Sequence, residues 1–139
     1  MVKVEKVKFE GWNCIRVSGG GTDVYVTVDM GPRIIGLTHN GGKNHMAVFE
    51  DTKGKVIKSD KFVAYGGHRI WHAPEDKNRT YFSDNNPCEV ELFGDGCKVT
   101  APIEKQTMLR RGFDVKINDA GEVTLTHFIE NCGLFDVEL

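Results

Sequence analysis

The fold of this chain is constrained most strongly by short runs that are apolar throughout or that alternate apolar with polar residues. Turn sequences separate these runs about every ten residues. Residues 12–17 and 24–28 are rich in β-branched side chains or alternate apolar with polar side chains, as half-buried strands do. Residues 18–21, Ser-Gly-Gly-Gly, separate these two runs and predict a hairpin loop. No window of about a dozen residues combines the apolar spacing of an amphipathic helix with a cap at its start. The chain is therefore predicted to be all-β.

Turn signals continue along the chain. Asn40 and Gly41 form the dipeptide favoured in two-residue turns, where both residues need positive φ. Further strands are predicted at residues 33–38, 46–49, 89–93, 97–101, 106–118, 122–130 and 134–139. Between them, residues 50–60 are predicted to be a solvated excursion, and residues 66–87 one long irregular connection of the kind that is often functional. The pattern predicts one domain, residues 1–139, folded as an antiparallel β-sandwich of about nine or ten strands.

Charge and composition narrow the classes of function. With 139 residues the chain is long enough to bury a core without disulfides or a structural metal. Its formal net charge of −2 and its scattered lysines argue against a nucleic-acid partner. No apolar run approaches the roughly 20 residues that a membrane-spanning helix needs, and the N-terminus does not resemble a signal peptide. We therefore expect a cytoplasmic protein that binds neither nucleic acid nor membrane.

The sequence carries no motif for a metal or a cofactor. Its four cysteines include no Cys-x-x-Cys pair, so we expect free thiols rather than a disulfide framework or a zinc site. The run Gly-Gly-Gly-Thr at residues 19–22 lacks the lysine and the spacing of a phosphate-binding loop. We predict that the protein uses no cofactor.

The richest concentration of groups able to grip a polar ligand lies at residues 65–75, Tyr-Gly-Gly-His-Arg-Ile-Trp-His-Ala-Pro-Glu. Tryptophan offers a flat apolar face of the kind that stacks on sugar rings, while arginine and histidine donate hydrogen bonds to hydroxyl groups. This combination suits a sugar-like ligand. The predicted ligand-binding residues are His68, Arg69, Trp71, His72 and Glu75.

Other interpretations of this segment stay open. His68 and His72 are four apart, but the glycines before them and Pro74 after them disfavour a helix. In a strand, four residues span roughly 13 Å, which is too far for both rings to hold one ion. A folded loop could still gather His68, His72 and Glu75, although we predict no metal. The histidines could equally make ordinary polar contacts, and Trp71 could simply fill the core.

Several other polar residues are ambiguous. Asp84 opens an Asp-Asn-Asn-Pro sequence that favours a turn cap over a ligand contact. Arg33 and Arg111 could each be an ordinary exposed charge. His127 and Glu130 fall on opposite faces of a late strand, because side chains alternate with period two, so they are not expected to work as a pair.

Three segments, taken in order, resemble a known family. They are residues 28–37 (VDMGPRIIGL), 66–75 (GGHRIWHAPE) and 124–133 (TLTHFIENCG), and the second is the most specific. Together they resemble the N-terminal half of uncharacterised proteins of the galactose mutarotase-like, or aldose 1-epimerase-related, superfamily. The resemblance implies half of a large antiparallel super-sandwich, with His68 or His72 contacting sugar hydroxyls. The acid histidine and base glutamate of that superfamily would fall beyond Leu139, so the resemblance assigns no catalytic residue here.

Three hypotheses for function follow. The first is a non-catalytic module that binds a small molecule, such as a carbohydrate. The second is an epimerase-like enzyme whose cleft is completed by a second subunit, which requires His68, His72, Glu75 and His127 to converge on one sugar. The third is a structural or interaction protein with a vestigial cleft. A half-length sandwich leaves a sheet edge and an apolar face uncovered, so we expect a homodimer or higher homo-oligomer.

Overall fold

The computed structural model describes all 139 residues and contains nine β-strands and no helix. The strands form two antiparallel sheets, one of five strands in the order β1-β2-β3-β4-β5 and one of four in the order β6-β7-β8-β9. The predicted all-β antiparallel sandwich is confirmed. The strand bounds are Lys3–Phe9 (β1), Trp12–Gly19 (β2), Thr22–Thr27 (β3), Arg33–His39 (β4), His68–Arg69 (β5), Glu89–Leu92 (β6), Gly96–Thr100 (β7), Leu109–Ile117 (β8) and Val123–Asn131 (β9).

Tight turns set the register of the five-stranded sheet. Gly20 and Gly21 have φ values of 54° and 82°, and they join β2 to β3 in the hairpin that the glycine run predicted. Asn40 and Gly41 also have positive φ, at 49° and 67°, and they reverse the chain after β4. Such values are costly for most residues but are accessible to glycine and asparagine. The sequence therefore specifies the positions at which this sheet turns.

The four-stranded sheet is built from consecutive hairpins. β6 pairs with β7 from Glu89 opposite Thr100 to Leu92 opposite Cys97. β8 and β9 form the longest ladder, which runs from Leu109 opposite Asn131 to Ile117 opposite Val123. β9 is the outer strand of this sheet, so one of its backbone edges pairs with no other strand.

Apolar side chains pack on both faces of the five-stranded sheet. The core between the two sheets includes Ile15, Val26 and Ile34 from the first sheet and Val99 and Phe113 from the second. A second cluster occupies the outer face of the first sheet, where Trp12, Cys14, Met30, Ile35 and Tyr65 are buried together. Ile34 and Ile35 thus serve different clusters, because neighbouring strand residues point to opposite faces.

Three strand predictions were wrong in detail. Residues 46–49 contribute only an isolated bridge between Val48 and Gly66. β8 begins at Leu109 rather than at 106, because Met108, with φ of 55°, closes a turn by donating its N–H to the carbonyl of Glu104. Residues 134–139 form no strand, since the side chain of Asn131 bonds to the backbone of both Gly133 and Phe135 and turns the chain after β9.

All four cysteines are free thiols. Burial raises the pKa of Cys14, Cys88 and Cys97 to about 12, which makes these three poor nucleophiles. The chain contains no helix with the length and apolar character needed to cross a membrane.

Candidate functional site

Two glycines bring the segment 65–75 against the first sheet. Gly66 and Gly67 have φ values of 98° and 69°. A Cβ at Gly67 would lie 2.2 Å from the carbonyl oxygen of Ile34, and one at Gly66 would lie 2.1 Å from that of Ala47. Only glycine permits so close an approach of two backbones. The glycines therefore place the short strand β5 beside β4.

His68 points into the space between the two sheets. It lies opposite Ile34 in the β4–β5 ladder, and its Nε2 is 2.7 Å from Nε2 of His127 on β9. One ring must donate this hydrogen bond while the other accepts it, so the contact requires at least one neutral imidazole. Burial lowers the pKa of His68, and the nearby His127 and Arg33 lower it further by smaller amounts. His68 and His127 thus join the two sheets at the end formed by β5 and β9.

Arg69 points to the opposite side of the strand and is buried. Its Nε lies 3.6 Å from Oδ2 of Asp84, and the same oxygen accepts a 2.6 Å hydrogen bond from Nη2 of Arg33. None of the three guanidinium nitrogens of Arg69 has a hydrogen-bond acceptor of good geometry. Burial lowers the pKa of Arg69 to about 10, and the positive charges of Arg111 and Arg33 add to that effect.

His72 is buried within a second group of charges. Its Nε2 lies 3.6 Å from Oε2 of Glu104, whose other oxygen contacts the guanidinium of Arg111. Arg111 also donates a 2.9 Å hydrogen bond to the carbonyl oxygen of Ile70. Burial lowers the pKa of His72, although Glu104 opposes that shift. We refer to the six side chains of these two groups as the buried ion cluster: Arg33, Arg69, His72, Asp84, Glu104 and Arg111.

Trp71 lies on the surface above this cluster. The residue is 43% exposed, and its ring centre lies 4.5 Å from the guanidinium carbon of Arg69. Phe62 and Tyr81 pack around it, with ring centres 6.0 Å and 5.2 Å away. These three rings, the aromatic platform, are braced by one another and by a buried cation. Of the alternatives left open for Trp71, core filling does not describe this partly exposed position.

Glu75 lies beside the platform. Its carboxylate accepts a hydrogen bond from the hydroxyl of Tyr81, and that bond raises the pKa of the tyrosine. An open cavity of about 820 Å³ adjoins this pair, and aromatic and polar side chains share its wall. The lining residues are Asp60, Lys61, Phe62, Glu75, Lys77, Asn78, Tyr81 and Gln106.

The five predicted ligand-binding residues occupy three different environments. Trp71 and Glu75 are exposed at the platform, Arg69 and His72 belong to the buried ion cluster, and His68 lies between the sheets. They do not meet around one point. No three histidine, cysteine, aspartate or glutamate side chains gather into a set able to hold a metal ion. A folded loop that brings His68, His72 and Glu75 together is therefore not what the chain forms.

Several residues of this region were not singled out from the sequence. Phe62 and Tyr81 come from irregular stretches, where no periodicity predicts the direction of a side chain. The sequence leaves the roles of Arg33, Arg111 and Asp84 ambiguous, yet all three are buried and ion-paired. The one signal that predicts a buried partner is an arginine at the start of an apolar strand run, as at Arg33 before residues 34–37 of β4.

Comparison of the chain with protein-family models, with curated proteins and with solved structures finds no match.

Proposed function

We propose that this protein binds a sugar-like small molecule at the aromatic platform and does not catalyse a reaction on it. The observation that carries the proposal is the partly exposed Trp71 ring held against the buried guanidinium of Arg69. A flat indole face of this kind suits the C–H face of a sugar ring. Because Phe62 and Tyr81 already fix the ring, little side-chain entropy is lost when a ligand stacks on it.

Polar groups beside the platform match the hydroxyl groups of a sugar. The cavity of about 820 Å³ falls within the usual size range of small-molecule sites, roughly 300–1,000 Å³. Glu75 offers a hydrogen-bond acceptor, while Lys77, Asn78 and Gln106 offer donors. The cavity meets the platform at Phe62 and Tyr81, next to Trp71 rather than at its ring. An aromatic wall beside hydrogen-bond donors and acceptors favours a neutral polyol over a hydrophobic ligand or a simple anion.

The positions of the ionisable groups support binding without catalysis. An epimerase needs an acid and a base within hydrogen-bond reach of the same sugar. His72 and Glu104 are close to each other, but both side chains are almost completely buried. Glu75 bonds to Tyr81 at the surface, whereas His68 contacts His127 between the sheets. The epimerase-like alternative therefore depends on a second subunit, with His68 and His127 as its nearest pair.

We also propose that copies of the chain self-associate. The outer edge of the nine-residue strand β9 presents backbone groups that pair with no other strand, and Leu134 and Phe135, which follow it, are 95% and 82% exposed. Exposed edges and apolar patches of this kind favour association. Sedimentation equilibrium tests the idea: a dimer or higher oligomer is expected, and a monomer at all concentrations would end both this proposal and the epimerase-like alternative.

We propose in addition that the protein is cytoplasmic and that it is related to galactose mutarotase-like proteins. Four free cysteines suit a reducing compartment. The resemblance of residues 66–75 is what points to sugars as the ligand class. If the protein proves to bind no sugar, the alternative of an interaction protein with a vestigial cleft takes its place.

Ligand-observed saturation-transfer NMR with a panel of monosaccharides tests the function. Wild-type protein should transfer saturation to at least one sugar, and W71A should abolish the transfer because the stacking face is gone. F49A is the matched control, since Phe49 is also an exposed aromatic residue but lies outside the platform. No transfer to any sugar, or equal transfer by W71A and F49A, would overturn the proposal.

A further inference from the structure

We propose that the open edge of the sandwich between β1 and β6 binds an amphipathic anion, with its apolar tail between the sheets and its carboxylate at two lysines. This edge cleft has a volume of about 520 Å³ and shares no residue with the aromatic platform. The side chains on which the argument rests are Lys6, Lys8, Ile15, Val28, Val90 and Leu92.

The register of β1 directs both lysines toward the space between the sheets. Lys6 lies opposite Ile15 on β2, and Lys8 lies opposite Asn13. Directly paired residues of an antiparallel ladder project to the same face, and Ile15 belongs to the core between the sheets. On that same face of the chain, Val2 and Val4 pack against the core. Lys6 and Lys8 therefore occupy inward-facing positions where apolar side chains such as Val2 and Val4 would close the edge of the sandwich.

The opposite wall of the cleft is apolar. Val90 lies opposite Val99 and Leu92 opposite Cys97, and both of these partners are buried in the core between the sheets. Leu92 thus faces inward, yet it is 48% exposed because nothing packs over it. The cleft offers an uncovered apolar wall on β6 and two ammonium groups on β1.

The charges around the cleft leave the lysines free for an anion. Neither Lys6 nor Lys8 forms an ion pair, whereas Lys3, on the other face of β1, pairs with Glu5. Asp29, at the nearby end of β3, accepts two hydrogen bonds from Asn13. Glu89 and Glu91 alternate with the inward residues of β6 and so point away from the cleft. Two unpaired ammonium groups and one carboxylate thus border the cleft, and this net positive charge beside an apolar wall fits a ligand with an apolar tail and an anionic head.

Inward-pointing lysines on an outer strand also protect a sheet edge from pairing with another chain. That role requires no ligand and predicts that removing the lysines changes only self-association. The binding role predicts a ligand whose affinity depends on both its charge and its tail. A simple anionic amphiphile distinguishes the two roles, because only the binding role predicts that the protein binds it.

Isothermal titration with decanoate, compared with decanol, tests the proposal, with both kept below the concentrations at which they aggregate. Wild-type protein should bind one decanoate, and the double variant K6M/K8M should weaken that binding about tenfold while leaving decanol binding unchanged. K3M is the matched control and should behave as wild type. L92D, at an exposed wall position, should abolish decanoate binding while the protein stays folded.

Three results would overturn the proposal. They are no binding of decanoate by wild type, equal affinities of K6M/K8M and K3M, and binding that L92D leaves intact. If wild type binds nothing and K6M/K8M gains a tendency to associate in sedimentation, the lysines only protect the edge. Because no residue is shared with the platform, failure here leaves the sugar-binding proposal untouched.

Discussion

The guanidinium carbon of Arg69 lies 4.5 Å from the ring centre of Trp71, although the arginine is buried and the tryptophan is exposed. The buried cation thus supports the exposed ring from below. Arg69 is held in this position by Asp84, whose carboxylate also pairs with Arg33. The surface that we propose for sugar binding therefore depends on ion pairs beneath it.

Removing the charge of Asp84 should destabilise the fold strongly. In D84N the guanidinium groups of Arg33 and Arg69 stay buried without their carboxylate, which typically costs about 3–5 kcal/mol. The free energy of unfolding in urea measures this effect. E130Q is the control, because Glu130 pairs with Arg110 at the surface, where loss of a partner costs about 0–1 kcal/mol. Similar losses in the two variants would show that the buried ion cluster does not hold the structure.

Replacing Gly67 should cost more than replacing Gly41, although both have nearly the same φ, 69° and 67°. Alanine at either position adopts a strained backbone, for about 1 kcal/mol. At Gly67 the new Cβ would also meet the carbonyl oxygen of Ile34 at 2.2 Å, whereas nothing lies within 4 Å at Gly41. Overpacking against backbone should add about 1–3 kcal/mol to the loss in G67A. Equal urea midpoints for G67A and G41A would contradict the close approach of β5 to β4.

Stability should fall on mild acidification through His68 and His72. Burial lowers the pKa of both below the ordinary value of 6.5, so between that value and the folded-state pKa the unfolded chain binds more protons. The free energy of unfolding is therefore highest well above pH 6.5 and should decrease as the pH falls through 6.5 toward the lowered pKa values of the folded state. H68Q should show a smaller decrease than wild type.

H45Q provides the control for this pH dependence, because His45 is exposed and makes no side-chain hydrogen bond. It should keep the wild-type slope of stability against pH. A wild-type protein that becomes more stable on acidification, or an H68Q slope equal to that of H45Q, would contradict the account.

The sheets could be predicted because the residues that specify each strand and turn are close together in the sequence. Alternation within residues 12–28 and the glycines between the two runs specify a hairpin without help from the rest of the chain. The end of β8 nearest Met108 and the turn after β9 were missed, since both depend on hydrogen bonds between a few particular backbone and side-chain groups. Such contacts leave no periodic signal in the sequence.

The site was predictable only as a segment. Residues 65–75 do carry the unusual side chains, but His68 and Arg69 are neighbours in a strand and so face opposite sides. Asp84 lies 51 positions from Arg33, and no pattern links them in the sequence. The five residues form one group in the sequence. Long-range ion pairing separates them into three environments in the structure.

The most direct test of sugar binding uses the two indole N–H signals of the protein in a ¹H–¹⁵N NMR spectrum. Trp12 is fully buried and donates a 2.8 Å hydrogen bond to the carbonyl of Lys55, so its signal serves as an internal reference. When monosaccharides are added, the Trp71 signal should shift and reach saturation while the Trp12 signal stays in place. A Trp71 signal that does not move with any sugar, or that drifts together with Trp12 without saturating, would contradict the account.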